Sequence, residues 1–337
     1  MTNISCSVAN CVISTSKELN DGYDLPVYGL ANGSFYNIHV PALVCIFLSL
    51  ISAVSVISYS FYHQHISTFF EWTRCERFAV YMAICDGLFN ISHFADHLHI
   101  VLTKSLPTPK VLCAFYGFLL AEFITAQNLL VSNVAINVFV LIFFRKKINF
   151  GFRDYRLLCV IFLLPAFGLT VVAALGQLGP NGSFCYFDGV TGQIANFIFT
   201  TILLCFILIS NIILYVMSLV RIYKESQAIK KTLGKSYKSL EASHRAAKTM
   251  SLFVTAFLVQ WWAMAMYGIW QWVTDVPQLL FNFVTTFSNI GGILNGIVFI
   301  IIVRRKRVDL DSIKKKPDIK ELAKQQAVIT QQLSNQV

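Results

Sequence analysis

The chain alternates long apolar runs with short polar connectors. Seven runs are long enough to cross a hydrocarbon layer of roughly 30 Å, which takes about 20 apolar residues in a helix. They cover residues 36–62, 78–102, 111–144, 157–178, 194–222, 250–273 and 277–303. The connectors are too short for a second domain. The pattern therefore predicts an all-α integral membrane protein with one seven-helix bundle over 36–303.

Polar segments flank the bundle on both sides. Residues 1–35 form the predicted N-terminal segment, and residues 304–337 form a polar tail that is expected to contain a short amphipathic helix. Composition supports this division, because 56% of the 337 residues are hydrophobic and 13% are charged, against about 45–50% and 25% in soluble domains. A soluble fold of this size would lack the polar residues to cover its surface.

The basic residues orient the chain. Lys and Arg fall between the apolar runs, with Arg221 at the very end of the fifth. Of these 27 residues, 24 lie on connectors that share one side, and the other side holds only Lys17, Lys104 and Lys110. The positive-inside rule then places the N-terminus outside and the C-terminus inside. The net charge of +10 is explained by this topology and by attraction to anionic membrane lipid, so no nucleic-acid partner is expected.

Two kinds of covalent site follow from the orientation. Cys113 opens the third run, and Cys185 lies in the loop after the fourth run, both on the outer, oxidising side. A bridge between them would tie that loop over the mouth of the bundle, while Cys6 and Cys11 could pair locally. Glycosylation motifs on the same side begin at Asn3, Asn32 and Asn181.

Ionisable side chains within the apolar runs are functional candidates, since lipid disfavours them. In the second run, Asp86, Asn90, His93 and His97 are spaced 4, 3 and 4, which keeps them on one helical face. Asp96 flanks this stripe, Glu122 enters from the third run, and a tryptophan pair lies in the sixth. The predicted ligand contacts are His93, Asp96, His97, Glu122, and Trp261 or Trp262.

The deeper polar residues have two readings. Asp86 and Asn90 either hold neighbouring helices together through hydrogen bonds, or Asp86 binds a sodium ion or a proton and biases the bundle between two arrangements. The predicted intramembrane network comprises Asp86, Asn90, Asn133, Asn137, Asn289 and Asn295.

Two other functions fit parts of the pattern. His93 and His97 at i, i+4 beside a carboxylate could bind a metal in a seven-span hydrolase, but no histidine follows His244 and the last two runs contain no acid, so no metal or other cofactor is expected.

A channel or transporter is the second alternative, although the halves of the chain show no inverted repeat. Retinal chemistry is excluded, since no apolar run contains a lysine for a Schiff base.

Three short motifs carry a family resemblance: YMAICD at 81–86, GSFCYF at 182–187 and GILNGIVF at 292–299. With seven spans and the Cys113 and Cys185 positions, the chain resembles a G-protein-coupled receptor. It is similar to the cyclic-AMP-receptor-like group, which is related to the secretin and adhesion receptors. It does not resemble the rhodopsin-type class, because its third run ends in IFFRKK at 142–147 without an acid-Arg-aromatic triplet.

The resemblance implies a multi-pass receptor of the plasma membrane that captures an extracellular ligand and signals to a heterotrimeric G protein without catalysis. The expected G-protein contacts are Arg145, Lys146, Lys147, Arg153, Arg221 and Lys248. A phosphate-bearing ligand such as cyclic AMP is disfavoured, since the loops at the outer half of the bundle offer only Lys104 and Lys110 as cations. A cationic, neutral or hydrogen-bonding ligand is expected instead, with pH sensitivity through His93 and His97.

Overall fold

The computed structural model describes residues 19–31, 33–231, 237–274 and 276–314. Within them we number eight helices and one hairpin. Six helices are α1 Phe35–His63, α2 Arg74–Thr103, α3 Lys110–Phe144, α6 Tyr237–Trp270, α7 Gln278–Asn289 and α8 Gly291–Lys314. Two contain a π-helical turn: α4 joins Tyr155–Leu158, Cys159–Leu163 and Leu164–Ala174, and α5 joins Gln193–Asn196, Phe197–Ile202 and Leu203–Lys231. Strands β1 Leu178–Pro180 and β2 Cys185–Phe187 pair antiparallel.

Six helices are long and apolar enough to cross a membrane, and a seventh crossing is present if α7 and α8 are one span bent by 43°. The prediction of an all-α, multi-pass architecture is confirmed at this level. Helix α3 lies at the centre, where it packs against α2, α5, α6 and both strands.

The ends of the bundle differ in chemistry. We call the end that carries the hairpin and the Cys113–Cys185 disulfide the disulfide end. The opposite end, where α2 begins at Arg74 and α3 ends at Phe144 before Arg145, is the basic end.

Two predicted boundaries differ from the structure. The fourth run, 157–178, was predicted as helix throughout, but α4 ends at Ala174, and Leu178 belongs to β1. Gly176, with a φ of +66°, permits the reversal, because glycine adopts left-handed backbone without steric cost. At the other end of the chain, α8 continues without a break past Val303 to Lys314, so the first residues assigned to the tail prolong the last helix. Residues 315–337 lie outside the described chain.

The seventh run, 277–303, is broken rather than straight. Ser49 Oγ donates a hydrogen bond to Asn289 O at 2.6 Å, and Gln260 Nε2 donates to Ser288 O at 3.1 Å. These carbonyls would otherwise accept from amides one turn further along. Side chains that enter the backbone ladder bend helices, so contacts from α1 and α6 account for the break between α7 and α8.

We expect Gly292→Ala to destabilise the protein by about 1–3 kcal/mol, the usual cost of overpacking. A Cβ at Gly292 would collide with the backbone carbonyl of Ser49, which a side-chain rotation cannot relieve. Thermal unfolding in detergent measures the effect. Gly87→Ala is the matched control, because a Cβ there would meet only the Ala53 Cβ at 4.0 Å. Equal melting temperatures for the two variants would contradict this account of the α1–α8 contact.

Candidate functional site

A cavity of about 550 Å³ opens between the helices at the disulfide end. Residues from α1, α2, α3, α5, α6, α7 and the hairpin line it, and Leu25 and Tyr28 of the N-terminal segment border it. This volume lies within the range of pockets that hold small organic molecules.

The β1–β2 hairpin and the N-terminal segment form the roof of the cavity, and several contacts hold them in place. The Cys113–Cys185 disulfide joins the hairpin to α3, and the Cys185 amide donates to Asp96 Oδ2 at 2.8 Å. The N-terminal segment is attached in turn, because the Tyr28 amide donates to Gly182 O at 2.8 Å. The buried carboxylate of Asp96 therefore holds the hairpin in place.

A second carboxylate, that of Asp188, lines the cavity and is occupied by the backbone. Its Oδ1 accepts from the amides of Val190 and Thr191, each at 2.9 Å, and its Oδ2 accepts from Gly22 at 2.8 Å. Three of about four acceptor positions of a carboxylate are thereby filled. Asp188 thus closes the loop after β2 and joins it to the N-terminal segment.

Nine aromatic side chains among the described residues line the cavity. They are Tyr28, Phe89, Phe184, Tyr186, Phe187, Trp261, Tyr267, Trp272 and Phe281. Burial raises the pKa of Tyr186 to about 12, so its hydroxyl is neutral and hydrogen-bonds with Thr200 Oγ1 at 3.0 Å. The wall is therefore apolar in area, with a few hydrogen-bonding groups set into it.

Three buried histidines form a chain that leads from α1 to the cavity. His39 Nδ1 lies 2.8 Å from His97 Nδ1, and His97 Nε2 lies 3.0 Å from His93 Nε2. Each contact needs one proton. When all three rings are neutral, only two arrangements satisfy both bonds.

The two arrangements differ at His93, a residue that borders the cavity. If His39 donates to His97 and His97 donates to His93, then His93 Nδ1 carries a proton and is a donor. If both bonds reverse, His93 Nδ1 is an acceptor and the proton at the far end resides on His39 Nε2. The chain thus lets the Nδ1 of His93 serve either role without any change of charge.

Four buried polar atoms on lining residues have no hydrogen-bond partner among the described residues: His93 Nδ1, Asn196 Oδ1, Trp261 Nε1 and Asn289 Oδ1. Buried polar groups are normally paired, at a cost of about 1–3 kcal/mol when they are not. All four belong to residues that border the cavity, and the atoms themselves are enclosed by protein.

The structure brings half of the predicted ligand contacts to the cavity. His93, His97 and Trp261 line it, whereas Asp96, Glu122 and Trp262 are absent from the described lining. Asp96 holds the hairpin instead. Glu122 is buried in α3. Trp262 is 39% exposed on α6, and its ring centroid lies 5.3 Å from that of Phe287.

The predicted polar network is partly assembled around Asp86. Asn295 Nδ2 donates to Asp86 Oδ2 at 2.8 Å, and Gln127 Nε2 donates to Asp86 Oδ1 at 2.6 Å, which links α2 to α8 and α3. Asn90 and Asn133 donate only to carbonyls of their own helices. The other two asparagines lie apart: Asn137 accepts from Arg74 Nη1 at 2.8 Å, and Asn289 donates to Thr285 O at 2.7 Å.

At the basic end, the predicted G-protein contacts Arg145, Lys146, Lys147, Arg153, Arg221 and Lys248 are all exposed. Glu225 gathers three groups there, which we call the Glu225 cluster. Its carboxylate lies 2.6 Å from Arg145, 2.8 Å from Arg221 and 2.9 Å from His244. The cluster therefore ties the end of α3 to α5 and α6.

The predicted covalent sites are only partly within the described chain. The Cys113–Cys185 bridge is present. Asn181 is half-buried at the hairpin turn, where its Oδ1 accepts from the amides of Ser183 and Phe184 at 3.0 and 3.1 Å. Asn3, Asn32, Cys6 and Cys11 lie outside the described residues.

Sequence reasoning missed four residues of these sites. His39 carried a usable signal, an ionisable side chain within the first apolar run. Gln127 and Asn196 are neutral amides, which are unremarkable in sequence. Glu225 is one acid in a long charged helix, and only its neighbours from α3 and α6 distinguish it.

The histidine chain does not converge on a point where a metal would sit. His97 uses opposite ring nitrogens for its two contacts. Among the described residues, no group of three or more His, Cys, Asp or Glu side chains is placed to hold a metal ion. The geometry gives the hydrolase alternative no support.

Comparison with known proteins adds no family. No protein-family model matches the chain, and no curated protein matches its sequence.

Proposed function

We propose that this protein is a G-protein-coupled receptor of the cyclic-AMP-receptor-like type, with its disulfide end outside the plasma membrane. It binds a small extracellular ligand in the cavity and signals to a heterotrimeric G protein at the basic end. The proposal rests on the resemblance in sequence and on one structural observation, the continuity of α6 between the two ends.

Helix α6 contributes to both candidate sites. Trp261 lines the cavity, and His244 contacts Glu225 at 2.9 Å. They are 17 residues apart on an uninterrupted helix, which is about 25 Å at 1.5 Å per residue. A ligand that displaces Trp261 would move a rigid rod whose other end belongs to the Glu225 cluster.

The Glu225 cluster is suited to two alternative states. Its arginines, Arg145 and Arg221, are about half exposed, whereas Glu225 and His244 are only 13% and 9% exposed. Ion pairs that keep one partner in solvent contribute roughly 0–1 kcal/mol each. Contacts of this strength hold α3, α5 and α6 together at rest and release them when ligand binding favours the open form. The exposed Lys146 and Lys147 would then meet the G protein.

We expect Glu225→Gln to raise ligand-independent coupling severalfold, because removal of one negative charge weakens three contacts together. A G-protein dissociation assay across subtypes in living cells measures it. In the Glu225→Gln background, Lys146→Ala with Lys147→Ala should return coupling to the resting level, since these lysines face the partner and lie outside the cluster.

Glu71→Gln is the matched control, because Glu71 is an exposed glutamate at the same end. It should leave coupling unchanged. If Glu225→Gln reaches the cell surface normally and activates no subtype above the Glu71→Gln level, the receptor proposal is wrong.

A further inference from the structure

We infer that the cavity selects an uncharged, aromatic small molecule that carries at least one hydrogen-bond donor and one acceptor. This inference rests on the proposed function, since it specifies the ligand of the same site. It excludes two charged classes of small extracellular ligand. The cations are ammonium compounds, and the anions are phosphates and carboxylates.

Anions are excluded by the lining. Among the described residues that border the cavity there is no lysine and no arginine. Lys110, at the start of α3, forms an ion pair with Asp21, and neither residue borders the cavity. An anion would lose its hydration without gaining a counter-charge, which is costly in a largely apolar site.

Cationic ligands are disfavoured because no acid that borders the cavity has a free carboxylate to pair with them. Asp188 is the acidic residue of the described lining, and three backbone amides at 2.8–2.9 Å already occupy its oxygens. Asp96 Oδ2 accepts from the Cys185 amide. Asp96 Oδ1 and Glu122 Oε2 have no partner among the described residues, but neither residue borders the cavity. No described acid directs an unoccupied carboxylate into the cavity in the way that an ammonium ligand would need.

Unpaired donors and acceptors on the lining residues determine which hydrogen-bonding groups the ligand must carry. On residues that border the cavity, Trp261 Nε1 is a donor without an acceptor among the described residues, and Asn196 Oδ1 and Asn289 Oδ1 are acceptors without a donor. We expect a ligand that packs against these side chains to supply the missing partners. His93 Nδ1 fits either group, because the chain through His97 to His39 can reverse its protons. A neutral molecule with both functions satisfies these atoms, and a purely apolar molecule leaves them unpaired.

The wall favours an aromatic ring. Phe89, Phe184 and Tyr186 face the cavity together with Trp261, and aromatic pairs contribute beyond the area that they bury. The roof of hairpin and N-terminal segment limits the space to about 550 Å³, so the occupant is a small molecule.

Three indole compounds of similar size test the inference on the purified full-length protein without any G protein. Tryptophol is neutral, tryptamine is a cation and indolepropionate is an anion at neutral pH. Dissociation constants come from the concentration dependence of the melting temperature, followed by size-exclusion chromatography. We expect tryptophol to bind at least tenfold more tightly than either charged compound.

Variants then assign the binding to this cavity. Trp261→Phe keeps a ring but removes the Nε1 donor, and should weaken tryptophol about tenfold, the loss expected for one buried hydrogen bond. Trp262→Phe is the matched control, because Trp262 faces away from the cavity, and should change nothing. Asn196→Asp adds an unoccupied carboxylate and should make tryptamine the tightest binder.

The inference is overturned if tryptamine or indolepropionate binds the unmodified protein as tightly as tryptophol, if none of the three binds at millimolar concentration, or if the two tryptophan variants behave alike. These failures differ from failure of the proposed function. The binding assay contains no G protein, so raised coupling by Glu225→Gln would stand even if tryptophol did not bind.

Discussion

Cys113→Ala is expected to lower the free energy of unfolding by about 4 kcal/mol, because the unfolded chain regains the conformational entropy that a closed loop of this length removes. The bridged residues are 72 positions apart, and both are fully buried. The bridge also anchors the hairpin that carries Gly182, to which the N-terminal segment is bonded. Its loss should therefore loosen the roof of the cavity as well as the fold.

Thermal unfolding of purified protein measures the loss, and reduction of the unmodified protein should reproduce it. Cys45→Ala is the control, because Cys45 is a free cysteine in α1 and should have a much smaller effect. If Cys113→Ala and the unmodified protein had the same melting temperature under oxidising conditions, the bridge would contribute little to stability.

The helices were predictable because lipid imposes a strict rule on a spanning segment. The third run, 111–144, matches α3 to within one residue, since a long apolar sequence in a bilayer has helix as its main option. The break between α7 and α8 was not predictable. Its cause, donation by Ser49 and Gln260 to carbonyls of another helix, depends on contacts between residues far apart in sequence.

In the candidate site, positions fixed by spacing along one helix were predictable, and positions fixed by packing between helices were not. The spacing of His93 and His97 predicted a shared face, and both reach the cavity, because spacing along one helix fixes direction. Their partner His39 comes from α1, and its approach depends on how α1 and α2 pack. Trp261 and Trp262 illustrate the remaining ambiguity: neighbours on a helix point about 100° apart, so one faces the cavity and the other the surroundings.

Asp154→Asn is expected to destabilise the protein by about 3 kcal/mol, the lower end of the cost of leaving a buried charge without its partner. Arg77 Nε lies 2.7 Å from Asp154 Oδ2, with the two side chains only 11% and 7% exposed. Tyr81 donates to the same carboxylate at 3.0 Å. Asparagine is the suitable replacement because Asp154 has a φ of +58°, and asparagine tolerates left-handed backbone; the variant therefore changes charge with little strain.

A double-mutant cycle separates the ion pair from general damage to the basic end. Arg77→Met alone should also be destabilising, since it leaves the Asp154 carboxylate with Tyr81 as its remaining side-chain partner. Arg77→Met combined with Asp154→Asn should cost less than the sum of the single changes, because neither variant then buries an unpaired charge. Unfolding in mixed micelles measures all three, with Glu71→Gln as an exposed control at the same end. Strict additivity would mean that Arg77 and Asp154 do not stabilise each other, and that the connector between α3 and α4 is held to α2 by apolar packing, such as that of Phe150 against Phe78.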